Sequence, residues 1–203
     1  MVSSIAAGHG DWAMPVTHQI EVPAAQWVQA LAAVAAAVAA EKGIAAPVAA
    51  ATSDTAVAVA RALLTGEHKA ILLGNGAAHH AQASSLLALA QWLGEQTGAS
   101  FGYLTEAANT VGAQLVGALP AAGALNAGQM LGGALKAAIL LNTEPEFDSA
   151  AGVMAVEALG KAQMVVSLNP FKANMAFCDV ILPVSPFTET SGTFVNAEGR
   201  AQS

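Results

Sequence analysis

The chain has 203 residues, 14 acidic side chains against 7 basic ones, and 55% hydrophobic residues with only 10% charged. That composition excludes a disordered chain, and the length suits one large α/β domain or two small ones. With a net charge of -7 and its Lys and Arg scattered from Lys42 to Arg200, the chain lacks the clustered cations that duplex nucleic acid requires. A single cysteine, Cys178, excludes an internal disulfide framework and any Cys-based zinc or iron-sulfur site built by this chain alone, and it suits a reducing compartment. No basic leader region precedes Lys42, and the longest apolar run, Ala30 to Ala40, falls short of the roughly 20 residues that span a bilayer, so no direct membrane insertion is expected.

About a quarter of the residues are Ala, the residue with the best helix propensity, and they are densest between Ala24 and Ala62. From Pro23, the spacing of Trp27, Leu31, Val34 and Val38 predicts a helix ending near Gly43. Residues 1–45 read as a helical lead-in, either separate from or part of the domain that follows over 46–203. Pro47 to Ala50 is a candidate short strand, and Thr52, Ser53 and Asp54 offer N-caps for a helix through Leu64 that stops at Gly66. Lys69 to Leu73 is an apolar run closed by Gly74-Asn75-Gly76, followed by a predicted helix from about Ala77 to Thr97. Similar runs recur at Ser100 to Leu104, Lys136 to Leu141, Gln163 to Leu168 and Asp179 to Val184. Runs without polar alternation fit burial on both faces, which predicts an α/β fold: a mostly parallel, doubly wound sheet with helices on both faces and right-handed crossovers. Ile71, Leu73, Ile139, Leu141, Val165, Val166, Val180 and Leu182 are the expected buried strand residues. Gly112 to Gly133 shows no clean period and reads as irregular loop.

The loop Gly74-Asn75-Gly76-Ala77-Ala78-His79 lies where a dinucleotide fingerprint would, yet His79 holds the third glycine position and the only acidic candidate, Glu106, comes about ten residues too late. A tight strand-to-helix turn is the better reading. His79 and His80 are adjacent, so on a helix their side chains diverge by about 100° and do not share a metal easily. Asn142 to Asp148 follows a strand at the carboxyl end, where open α/β sheets bind ligands; its carboxylates suit either a cation or, as the simpler reading, a helix cap by Asp148 or Ser149. Cys178 borders an apolar strand and reads as a small buried hydrophobe.

The most specific segment is 179–200: a strand ending at Pro183, then Pro186-Phe-Thr-Glu-Thr-Ser-Gly-Thr-Phe-Val-Asn196, then Glu198-Gly-Arg200. This resembles the molybdopterin oxidoreductase superfamily, and within it is most similar to the large iron-sulfur subunit of NADH-quinone oxidoreductase, respiratory complex I. Thr97-Gly98-Ala99, Glu106-Ala107-Ala108-Asn109, Gly123 to Ala127, and Lys136 to Leu141 with Glu144-Pro145-Glu146 follow the order found in that large subunit, so the resemblance covers about Lys69 to Ser203.

The resemblance implies a domain of the complex's peripheral arm that shares the fold of molybdenum enzymes without holding their cofactor. Its iron-sulfur ligands are expected in an N-terminal part of the parent subunit that this sequence lacks, which makes the chain an expected fragment, inactive alone. The implied partners are the other peripheral-arm subunits and the rest of the parent subunit, at the cytoplasmic side of the bacterial inner membrane. In relatives that bind the pterin, the loops matching Asn142 to Pro145 and Thr193 to Arg200 approach it, so Asn142, Glu144, Gly192, Thr193, Asn196 and Arg200 are the vestigial cofactor-binding candidates. No catalytic or metal-ligating residue is expected. The competing readings are a cofactor-binding domain of an active molybdopterin-dependent oxidoreductase, disfavoured by so few basic residues, and a free-standing nucleotide-binding enzyme, which would need the Gly74 loop to have its acidic partner. The mean hydropathy of +0.52 predicts exposed apolar area and self-association in isolation, with Gly112 to Gly133 and Pro186 to Ser203 on the exposed face.

Overall fold

The computed structural model describes residues 1–133 and 135–203. These form two compact units, Met1–Ala108 and Asn109–Ser203.

The first unit opens with a parallel strand pair that periodicity did not reveal, β1 (Ser3–Ala6) and β2 (His18–Glu21). Helix α1 (Trp27–Lys42) follows and ends at Gly43, as expected. It is apolar nearly all round and is correspondingly the central helix: Leu31, Val34 and Val38 are buried, with α2 (Asp54–Thr65) and α4 (Ala83–Thr97) packed against it. Ala35, Ala56, Ala60 and Ala90 are fully buried, and their small side chains let the helices approach closely. Helical residues Ala24–Lys42 are long and apolar enough to cross a membrane by length and composition, but here they build this core. Ser53 caps α2 by accepting from the amide of Ala56 at 3.2 Å.

Two expectations are corrected in this unit. Pro47 to Ala50 forms no strand. The helix expected over 77–97 is broken: α3 (Asn75–Ala78) ends in a turn at His79 to Gln82 before α4 begins. At the break, His80 accepts from the Gln82 amide at 2.9 Å and stacks on Trp27, distant in sequence, with ring centroids 5.9 Å apart. Strands β3 (Ala70–Leu73) and β4 (Ser100–Tyr103) pair in parallel.

In the second unit, the stretch read as irregular contains two short helices, α5 (Thr110–Leu115) and α6 (Ala127–Leu131), the latter started by an Asn126/Gln129 capping box. Strands β5 (Ala137–Leu141), β6 (Met164–Asn169) and β7 (Val180–Pro183) form a parallel sheet in that order. The β5–β6 crossover carries α7 (Pro145–Asp148) and α8 (Val153–Leu159). A small antiparallel hairpin, β8 (Phe194–Val195) with β9 (Ala201–Gln202), ends the chain. The fold is α/β with parallel strands, divided among several small sheets.

The expected two-sided burial is where the sequence reading needs correction. A right-handed β5–β6 crossover lays α8 over one face only, and burial follows: Val165, Ser167 and Asn169 are buried, as are Ala155 and Leu159 of α8. The opposite face holds Ile139 at 75% exposure and Leu141 at 67%, with Val180 and Leu182 also exposed. The β6–β7 connection contains no helix that could cover it. Of the residues expected inside, Leu73 and Val165 are buried and Ile71 and Val166 half-buried.

Candidate functional site

The carboxyl ends of β5 and β7 bound a cleft of about 630 Å³, lined by Leu141, Asn142, Val184, Ser185, Phe187, Glu189, Thr190, Ser191 and Phe194. Asn142 extends the β5–β6 ladder, its amide donating to the Leu168 carbonyl at 2.7 Å, and then turns the chain with a left-handed φ of 48°. Thr190 holds its own turn by donating to the Pro186 carbonyl at 2.9 Å. The walls are mainly apolar, with Glu189 as their one ionisable group and no Lys or Arg.

Beside it, a smaller cleft of about 260 Å³ lies between Glu144, Glu146, Phe147 and the 172–177 loop. That loop is fixed by Asn174, at φ 63°, which donates to the Thr143 carbonyl at 2.9 Å and to Ser167 Oγ at 3.1 Å. Asp148 does not cap the helix that follows it. It reaches back instead, its Oδ2 accepting from the Glu144 amide at 2.7 Å and from Thr143 Oγ1 at 3.2 Å, so it caps the start of α7, where it resides. This spends its carboxylate on the backbone. Cys178 is half-buried; burial pushes its thiol pKa up, a hydrogen bond with Ser167 lowers it and the charge of Asp179 raises it further.

The six candidates separate. Asn142 lines the larger cleft and Glu144 the smaller. Gly192 and Thr193 are neighbours of the larger cleft through Ser191 and Phe194, but neither lines it. Asn196 is committed to the β8–β9 turn: its Oδ1 accepts from the amides of Glu198 at 3.1 Å and Arg200 at 2.9 Å, in a loop whose Gly199 has φ 82°. Arg200 extends outward, 73% exposed, with Glu198 4.0 Å away.

A residue without an assigned role in the sequence proves central. Asn109 bridges backbone like an added strand, its Oδ1 accepting from the Val195 amide at 2.8 Å and its Nδ2 donating to the Thr193 carbonyl at 3.2 Å. It thereby ties the Gly192 to Val195 segment to the start of α5. Gly112 makes room for this, since a Cβ there would sit 2.0 Å from Asn109 Oδ1. The partners lie 84 and 86 residues apart, beyond any local pattern. The signal available was the Glu106-Ala107-Ala108-Asn109 motif itself.

In the first unit, the Gly74 loop is occupied from within the chain. A Cβ on Gly76 would sit 2.8 Å from the Trp27 ring, so the glycine accommodates an indole packed against the turn. Glu106 lies 3.3 Å from His79 Nε2 on the surface, and His80 Nε2 donates to the Ala24 carbonyl at 3.0 Å, its Nδ1 being the acceptor for Gln82. Among the described residues, no group of three or more His, Cys, Asp or Glu side chains could hold a metal ion.

Parallel strands whose carboxyl-end loops frame a cleft define an α/β domain, with the cleft at the end of the sheet where open α/β sheets bind ligands. The sequence profile of the family described as molybdopterin oxidoreductase matches residues 47–203, most of the chain, and the protein belongs to that family. No curated protein matches this chain. The family implies a molybdenum-pterin cofactor, whose phosphate-bearing part calls for cations or free backbone and side-chain donors. The residues of the cleft fit it poorly: Asn142, Ser185 and Ser191 offer uncharged donors, but no Lys or Arg lines the cleft, its one ionisable wall group is the carboxylate of Glu189, Asn196 is spent on a turn and Arg200 points to solvent.

Proposed function

We propose that this chain is a cofactor-free structural and interaction domain of the large peripheral-arm subunit of a complex I-type NADH-quinone oxidoreductase, an assembly that passes electrons from NADH to quinone. In this reading the domain lies on the cytoplasmic side of the bacterial inner membrane, contacts the other peripheral-arm subunits and the rest of its own subunit, and catalyses nothing alone. The iron-sulfur clusters belong to other parts of that subunit. The observation that carries the reading is the cleft at the ends of β5 and β7, which has mainly apolar walls, one carboxylate and no cation. Exposure supports it. Even two separate compact globules sharing 20.2 kDa would expose only about 10,600 Å², against 12964 Å² here. The excess is what a domain shows when its neighbours are needed to cover it.

The test is reconstitution. The chain is co-expressed with affinity-tagged versions of the peripheral-arm subunits of a complex I-type enzyme, and the assembly is isolated through a subunit other than this one. Stoichiometric recovery of the chain in an assembly that reduces quinone with NADH is the expected result. Exclusion from that assembly, with appearance of molybdenum-dependent oxidoreductase activity in the chain instead, overturns the reading in favour of an active pterin enzyme.

A further inference from the structure

We propose that the uncovered face of the β5–β6–β7 sheet is a docking surface for one amphipathic helix of a partner polypeptide. The inference rests on the interaction-domain reading and supplies the chemistry of the partner. Registered pairing aligns Ile139 with Val166 and Val180, and Leu141 with Leu168 and Leu182, in two adjacent apolar rows on one face. No charged or polar side chain interrupts them, while the opposite face carries Ser167 and Asn169 under the crossover.

Parallel sheets are covered on both faces, and helices do the covering. With strands in the order β5, β6, β7, right-handed crossovers put every internal connection on the same face, so this sheet cannot cover the other face with its own crossovers. Size selects the occupant. Three strands about 4.8 Å apart and five residues long offer a footprint of roughly 14 by 17 Å. One helix, about 10 Å across and about 11 residues long, fills it. A second copy of this chain fits poorly, because a standard dimer interface engages about 20–30 residues a side and the face supplies eight. The helix that fits has an uncharged stripe of Leu, Ile, Val or Ala at i, i+3, i+4 and i+7, since an unpaired charge pressed on these rows would be desolvated without a partner.

The experiment uses the full chain and two fluorescein-labelled synthetic peptides of about 14 residues. One carries Leu at i, i+3, i+4, i+7 and i+11 with Glu and Lys elsewhere; the other has the same composition with the Leu positions scattered. Anisotropy titrations are run on the wild-type chain, on Ile139→Lys and Leu182→Lys, and on Leu115→Lys, an exposed apolar site of the same unit outside the sheet. The striped peptide is expected to bind saturably, and the two sheet substitutions to weaken it by about tenfold or more while Leu115→Lys leaves it unchanged. Equal binding of the scattered peptide, binding that survives Ile139→Lys, or no binding overturns the proposal. Sedimentation showing a dimer that Ile139→Lys dissociates would also overturn it, assigning the face to a second copy. All of these outcomes are separate from reconstitution, which judges the functional reading.

Discussion

Replacing Asn109 by Ala removes one hinge of the second unit and leaves the helix beside it intact. Two hydrogen bonds disappear, from the Val195 amide at 2.8 Å and to the Thr193 carbonyl at 3.2 Å. Val195 is buried at 9% exposure, so its N–H loses its acceptor where water replaces it poorly, whereas the bond to Thr193 lies at the surface. An unsatisfied buried donor costs about 1–3 kcal/mol and a surface bond about 0.5–1 kcal/mol, which puts Asn109→Ala near 2 kcal/mol. Gly112→Ala should break the same two bonds by a different route. In an ordinary helix interior, Gly to Ala stabilises by about 1 kcal/mol, but here the new Cβ would occupy space 2.0 Å from Asn109 Oδ1, so the sign reverses. The assay is native-state hydrogen exchange, because the chain has two units and a single global unfolding energy need not report on one segment. Amides of Val195 and neighbouring β8 residues should exchange about 10- to 100-fold faster in both variants, with those of α1 and α4 unchanged. Unchanged protection at Val195, or stabilisation by Gly112→Ala, would refute the clamp.

Other expectations follow from burial. Ile139→Ala should change stability by less than about 1 kcal/mol because the side chain is 75% exposed, whereas Leu93→Ala, at 1% exposure in the first core, should cost about 2–5 kcal/mol; urea denaturation separates them. Gly76→Ala should cost about 1–3 kcal/mol by forcing the Trp27 ring from its seat, with a shift in tryptophan emission as the local signature. The raised pKa of Cys178 means that the native state holds the thiol proton more tightly than the unfolded chain. Stability relative to Cys178→Ala should therefore be constant at neutral pH and decline as pH rises past the ordinary thiol value of 9.0; a rise there would contradict the sign.

Local chemistry made much of the fold readable. Ser53 and Gly66 bound α2, and the runs at 70–73, 100–103, 137–141, 164–169 and 180–183 became strands because short apolar stretches between turn residues have few alternatives. Burial was less readable. Ile139 and Val165 look alike in sequence, and only the crossover face decides that one is exposed and the other enclosed. The helix break at His79 to Gln82 depends on Trp27, about fifty residues away, and Asn109 depends on partners more than eighty away; neither leaves a periodic trace. The candidate residues divide on the same ground. Asn142 follows a strand directly, so its place at the cleft was legible, whereas the diversion of Asn196 into a turn required the register of β8 and β9.

Direct titration with a pterin dinucleotide tests the central claim, that a domain of this family stands here without its cofactor. The full chain, purified after expression in a molybdenum-replete host able to make the cofactor, is examined by native mass spectrometry and elemental analysis, and then titrated with the extracted cofactor under anaerobic conditions. The expected result is the bare polypeptide of 20.2 kDa, no stoichiometric molybdenum and no saturable binding. A mass increment of one pterin dinucleotide per chain, or about one molybdenum per chain retained through gel filtration, would contradict the account, because the Glu189-bearing cleft would then hold the anionic group that its chemistry opposes.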